Sequence, residues 1–135
     1  MNTRVLLVAS SVVMGVTGLV ASFAPAELLS ALHVAPAEPL PVVVQLLGAL
    51  YVAFALANWT AKDSLIGGIY ARPLALGNFT HFVVAALALG KHELRAGFEG
   101  PLVAALVVYG IFALGFAWLV FGRGAACKVS EEPQR

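Results

Sequence analysis

Residues 101–121 read PLVAALVVYGIFALGFAWLVF, twenty-one positions without one charged side chain. The hydrocarbon core of a bilayer, about 30 Å thick, takes roughly 20 apolar residues of α-helix per crossing. The stretch therefore has the length of one span, and its continuous apolar run shows none of the period-2 alternation of a strand. Pro101 suits a first helical turn and Gly122 a stop. Three further stretches qualify on the same grounds. Val42–Trp59 is preceded by Pro36, Pro39 and Pro41, Arg72–Gly90 is stopped by Gly90 and Lys91, and Val5–Phe23 has Arg4 at its border. The expected fold is all-α and integral to a membrane: a four-transmembrane-helix bundle with spans at about 5–23, 42–59, 72–90 and 101–121. A disordered cytoplasmic tail is expected over 122–135.

Composition agrees with that reading. The chain is 61% hydrophobic and 11% charged, against about 45–50% and 25% in a soluble domain. Its net charge of +1 offers no electrostatic footprint for nucleic acid. Cys127 is the one cysteine, which excludes an internal disulfide and a Cys-rich metal site. In the tail it is expected to be a free thiol.

The first apolar stretch has a faint resemblance to a signal peptide, with Arg4 before it and Ser22-Phe23-Ala24 near its end. At 19 residues it exceeds the usual apolar region of such peptides, and Pro25 would follow the cut. Retention as a span is expected. With four crossings, Arg4, Lys62, Arg72, Arg123, Lys128 and Arg135 fall on one side, and only Lys91 and Arg95 on the other. The positive-inside rule then places both termini in the cytoplasm, and Trp59, Tyr70 and Trp118 near the inner boundary.

Between the first two spans, Ala26-Glu27-Leu28-Leu29-Ser30-Ala31-Leu32 reads as a short amphipathic interfacial helix. Residues 64–71 are ambiguous: they either begin the third helix early or dip into the interface. Small residues mark expected helix seams, because in lipid association relies on close packing. These are Ser11–Gly15 and Gly18–Ser22 in the first span, Gly48 with Ala49, Ala53 and Ala57 in the second, and Gly110 with Ala113 and Ala117 in the fourth. The same seams would also serve a homo-oligomer.

No acidic or basic residue lies deep in these spans, which argues against a proton relay, voltage sensor or ion pump. The polar residues that remain include Tyr51, Asn78, His81 and Tyr109, at comparable depths along their helices. His81 lies about 13 Å beyond Arg72 at roughly 1.5 Å per residue, and Asn78 shares its face. One reading is a pocket for the polar head of a quinone or other lipophilic molecule. The other is an interhelical hydrogen-bond network that fixes packing, at about 0.6 kcal/mol per bond. A second group, Asn58 and Lys62 with Arg72 across the loop, reads either as an anchored helix end or as a phosphate-headgroup or partner contact. His33, His92 and Glu93 lack the paired spacing of a metal site. No nucleophile elbow or metalloprotease motif is present, so neither catalytic nor metal-binding residues are assigned.

Phe23-Ala24-Pro25 through Leu29, Leu32 and Pro36, followed by Gln45-Leu46-Leu47-Gly48-Ala49-Leu50-Tyr51, resembles small bacterial DoxX-like membrane proteins. Arg72-Pro73 through Gly77-Asn78 and His81 is similar to a pattern in other small membrane proteins. The likeness covers most of residues 5–121 and is architectural. It implies four helices, a proline-bearing outer loop, a bacterial inner membrane and, for some members, quinone-dependent redox chemistry. No motif carries that chemistry to named residues. The expectation is a multi-pass protein without its own catalytic centre, which binds a lipophilic ligand or serves as accessory subunit of a membrane complex. A quinone-linked redox protein and a small oligomeric transporter or channel are the alternatives. Expected partners are membrane lipids and a lipophilic small molecule, with quinone or lipid as the candidate cofactor.

Overall fold

In a computed structural model of the chain, residues 3–63, 71–97 and 100–122 are described. They form α1 (Thr3–Phe23), α2 (Pro25–Ala31), α3 (Leu40–Ala61), α4 (Ala71–Ala96) and α5 (Gly100–Ala117), the last continued by a π-helical turn over Trp118–Gly122. The fold is all-α. Four of its helices are long and apolar enough to cross a membrane, which makes this a multi-pass membrane protein. Gly122, expected to open the tail, closes the π-helical turn instead, and Ala71, the last residue of the ambiguous segment 64–71, belongs to α4. The rest of the expected tail, 123–135 with Cys127, and residues 64–70 with Tyr70 lie outside the described residues.

Contacts divide the chain into two compact units, one over Asn2–Ser64 and one over Leu65–Arg135. In the first, α1 and α3 pair antiparallel along their whole lengths: Ser11 meets Ala55 while Gly18 meets Gly48. The two glycines set the approach. A β-carbon on Gly18 would stand 2.8 Å from the Gly48 carbonyl oxygen, and one on Gly48 would stand 2.7 Å from the Ser22 backbone nitrogen. No side chain fits there, so the backbones touch directly, as small-residue seams in lipid allow.

That contact fixes the rotation of α3. Gly48, Ala55 and Asn58 turn inward, whereas Ala49 and Ala53 are exposed. The seam therefore does not run along the Ala49–Ala53–Ala57 stripe that sequence spacing favours. The α1 seam lies where it was expected, through Ser11, Gly15, Gly18 and Ser22.

The short α2 begins with Pro25 in its first turn and packs Leu29 against this pair. It ends in a Schellman motif: the Val34 amide donates to the Leu29 carbonyl (2.9 Å) and the His33 amide to that of Ser30 (3.0 Å). The motif needs a left-handed residue just past the helix, and His33 supplies it at φ 58°. His33 is thus a helix terminator.

In the second unit, α4 and α5 pair antiparallel around Phe82. Gly90 does not stop α4, since an isolated glycine inside a helix costs only about 1 kcal/mol. The helix runs on to Ala96 and ends at Gly97, whose φ of 92° is the left-handed conformation glycine permits. Lys91, His92, Glu93 and Arg95 are consequently helical, and Glu93 is buried.

Candidate functional site

Phe82 is the hub of the second unit. Its ring stacks on Phe112 (4.9 Å between centroids) and Phe116 (5.7 Å), and meets Tyr109 edge-on at 5.4 Å. Phe112 and Phe116 lie four residues apart, on one face of α5, and both are buried. Tyr109 stands one turn before Phe112, so it extends the same aromatic row. Farther along the pair, Phe79 meets Phe121 edge-on at 5.4 Å.

His81 lies beside this row. Its imidazole is 5.8 Å from the Tyr109 ring, tilted 48°, and 5.2 Å from Phe82. Both His81 and Tyr109 are part-buried, so α4 and α5 bring an imidazole and a phenol together within an apolar stretch. Each group can donate and accept a hydrogen bond. Such a pair suits the carbonyl or hydroxyl head of an otherwise apolar molecule.

Asn78 is on the same helix, but its side-chain amide donates to the Leu74 carbonyl at 2.9 Å and the residue is fully buried. One N–H of that amide thus bonds back to its own helix. Tyr51 belongs to the first unit, where its β-carbon faces Gly18. Of the four candidates for a ligand pocket, the second unit therefore joins His81 and Tyr109 by direct ring contact.

At the end of α3, Asn58 turns inward and is fully buried. Its amide donates to Ser10 Oγ (3.1 Å) and approaches Met14 Sδ (3.8 Å), while Ser10 Oγ donates to the Leu7 carbonyl (3.0 Å). This is a polar clamp between α1 and α3. One turn on, the Lys62 ammonium sits 3.5 Å above the Trp59 ring, a cation–π contact. Arg4 pairs with Asp63 at 3.2 Å, both exposed. Arg72 is exposed in the first turn of α4.

Sequence reasoning did not single out Phe82 or the inward turn of Glu93. Phe112 and Phe116 have helical spacing in the sequence, but nothing in it places Phe82 of α4 against them. The burial of Glu93 followed from a helix end that Gly90 obscured.

Among the described residues, no three His, Cys, Asp or Glu side chains gather to hold a metal ion. No protein-family model, no curated protein and no solved structure matches this chain.

Proposed function

We propose that this multi-pass protein binds a lipophilic molecule with a polar head, at His81 and Tyr109, and has no catalytic centre of its own. The observation that carries this reading is the 5.8 Å contact between their rings in helices apolar enough to cross a bilayer. A polar side chain in such a helix costs free energy, so it belongs with a partner or a function. The ring pair offers donors and acceptors at one point, and Phe82 backs it with a rigid aromatic floor.

The protein sits in a bacterial inner membrane with both termini in the cytoplasm. The excess of Lys and Arg on that side supports this orientation, and the DoxX-like character of residues 23–51 supports the membrane. Membrane lipids surround it, and it acts alone, as a homo-oligomer or as an accessory subunit of a larger complex. A quinone-linked redox role is the second reading. It is favoured by the same ring pair, because imidazole and phenol both hydrogen-bond a quinone carbonyl.

The test is an extraction of lipophilic molecules from the purified protein and from His81→Ala and Tyr109→Phe, followed by mass spectrometry. A carbonyl- or hydroxyl-bearing compound retained by the unsubstituted chain and depleted in both variants is expected. Equal retention in all three contradicts the reading.

A further inference from the structure

Outside the aromatic row, the first unit carries a groove of about 410 Å³ between α1 and α3. Its floor is made by Gly15 and Ala55, whose small size sinks it between the helices: a β-carbon on Gly15 would reach only ordinary contact, 3.6 Å, with that of Ala55. Leu19, Val52 and Leu56 form the walls, and Trp59 stands at one end. Ser11 also lines the groove, but its hydroxyl donates to the Ala55 carbonyl at 2.8 Å. The surface so formed is apolar.

Two features say what fills it. The first is length. Trp59 lies at the end of α3, and Val52 lies seven residues deeper, about 10 Å at roughly 1.5 Å per residue. Leu19 closes the groove about one further turn in. The total is near half of a bilayer core about 30 Å thick, which is the depth of one leaflet. A partner's membrane-spanning helix would call for a groove running the full thickness.

The second feature is charge. At the Trp59 end, Arg4 and Asp63 pair with each other and cancel. Among the described residues at that end, Lys62 remains as the net cation, its ammonium held over the Trp59 ring at 3.5 Å. An apolar slot one leaflet deep with a cation at its mouth fits a chain that ends in an anion. We infer that the α1–α3 groove holds one acyl chain of an anionic glycerophospholipid, with the lipid phosphate on Lys62. This goes beyond the proposed function: it names a different site, on a different helix pair, and a different ligand.

The test uses the full chain carrying Trp118→Phe, so that Trp59 is the one tryptophan. It is reconstituted with phosphatidylglycerol or phosphatidylcholine brominated on the acyl chains, and bromine quenching of Trp59 gives the relative association of each lipid. Phosphatidylglycerol is expected to associate about fivefold more strongly, the factor one lysine at a membrane surface supplies. Lys62→Gln, at an accessible helix end, should bring the ratio to about one. Gly15→Val, which fills the floor, should reduce quenching by both lipids. Equal quenching by the two lipids in the Lys62 protein overturns the inference. So does a preference that survives Lys62→Gln, or a dimer that shields Trp59 from both.

Discussion

Gly18 and Gly48 lie back to back: a β-carbon added to either would fall 2.8 Å from the other's carbonyl oxygen. Real β-carbons do not approach backbone that closely, so alanine at either position has to push α1 and α3 apart. Because lipid supplies no hydrophobic drive to hold helices together, the displaced contacts are not recovered elsewhere. Gly18→Ala and Gly48→Ala should each destabilise the protein by about 1–3 kcal/mol, the usual cost of overpacking. Gly15→Ala, at 3.6 Å from Ala55, should change stability by less than about 0.5 kcal/mol. Thermal unfolding in mild detergent measures all three, and an equal loss at Gly15 would show that the close approach is not what limits packing.

Asn58 and Ser10 join the same two helices by a buried hydrogen bond. Asn58→Ala, Ser10→Ala and the double variant form a cycle that isolates this bond. The coupling expected is about 0.6 kcal/mol, typical of hydrogen bonds between helices in a membrane. A coupling near zero would mean that Asn58 acts by shape alone.

Phe82 stacks on Phe112 and Phe116 with almost no exposure. Phe82→Ala leaves a cavity, so the loss should reach the lower part of the range of about 3–5 kcal/mol for buried Phe→Ala. Leu114, on the outward face of α5 and 75% exposed, should tolerate alanine within about 0.5 kcal/mol. Unfolding of the two variants in the same detergent makes the comparison. A Phe82→Ala protein as stable as Leu114→Ala would remove the aromatic hub from the account.

His33 holds a left-handed conformation at the end of α2. A side chain there costs of order 1 kcal/mol relative to glycine. His33→Gly should therefore raise stability by up to about 1 kcal/mol, and His33→Val should lower it, because a β-branched residue resists positive φ. Calorimetry of both variants tests this, and a loss of stability in His33→Gly would point to a role for the imidazole instead.

The long helices were legible because uncharged runs such as 101–121 leave one arrangement open in a bilayer. The proline-led helix Pro25–Ala31 was legible for local reasons. Helix rotation was not. Ala49, Ala53 and Ala57 share the spacing of a seam, but the steric demand of Gly48 against Gly18 decides which face of α3 turns inward, and that is a property of the pair. The end of α4 failed for a related reason: Gly90 has the look of a terminator, whereas the positive φ that ends the helix falls at Gly97. At the candidate site, His81 and Tyr109 were legible as polar residues at matching depth. The bond from Asn78 to the Leu74 carbonyl was not, since any polar side chain in a helix can bond back to its own preceding turn.

The most direct test of the proposed function is the amount of lipophilic molecule bound per chain, compared among the unsubstituted protein, His81→Ala and the lipid-facing control Leu114→Ala. One compound with a carbonyl or hydroxyl head is expected, retained near one per chain by the unsubstituted protein and by Leu114→Ala, and lost from His81→Ala. Equal amounts in all three, or no such compound in any, would contradict it.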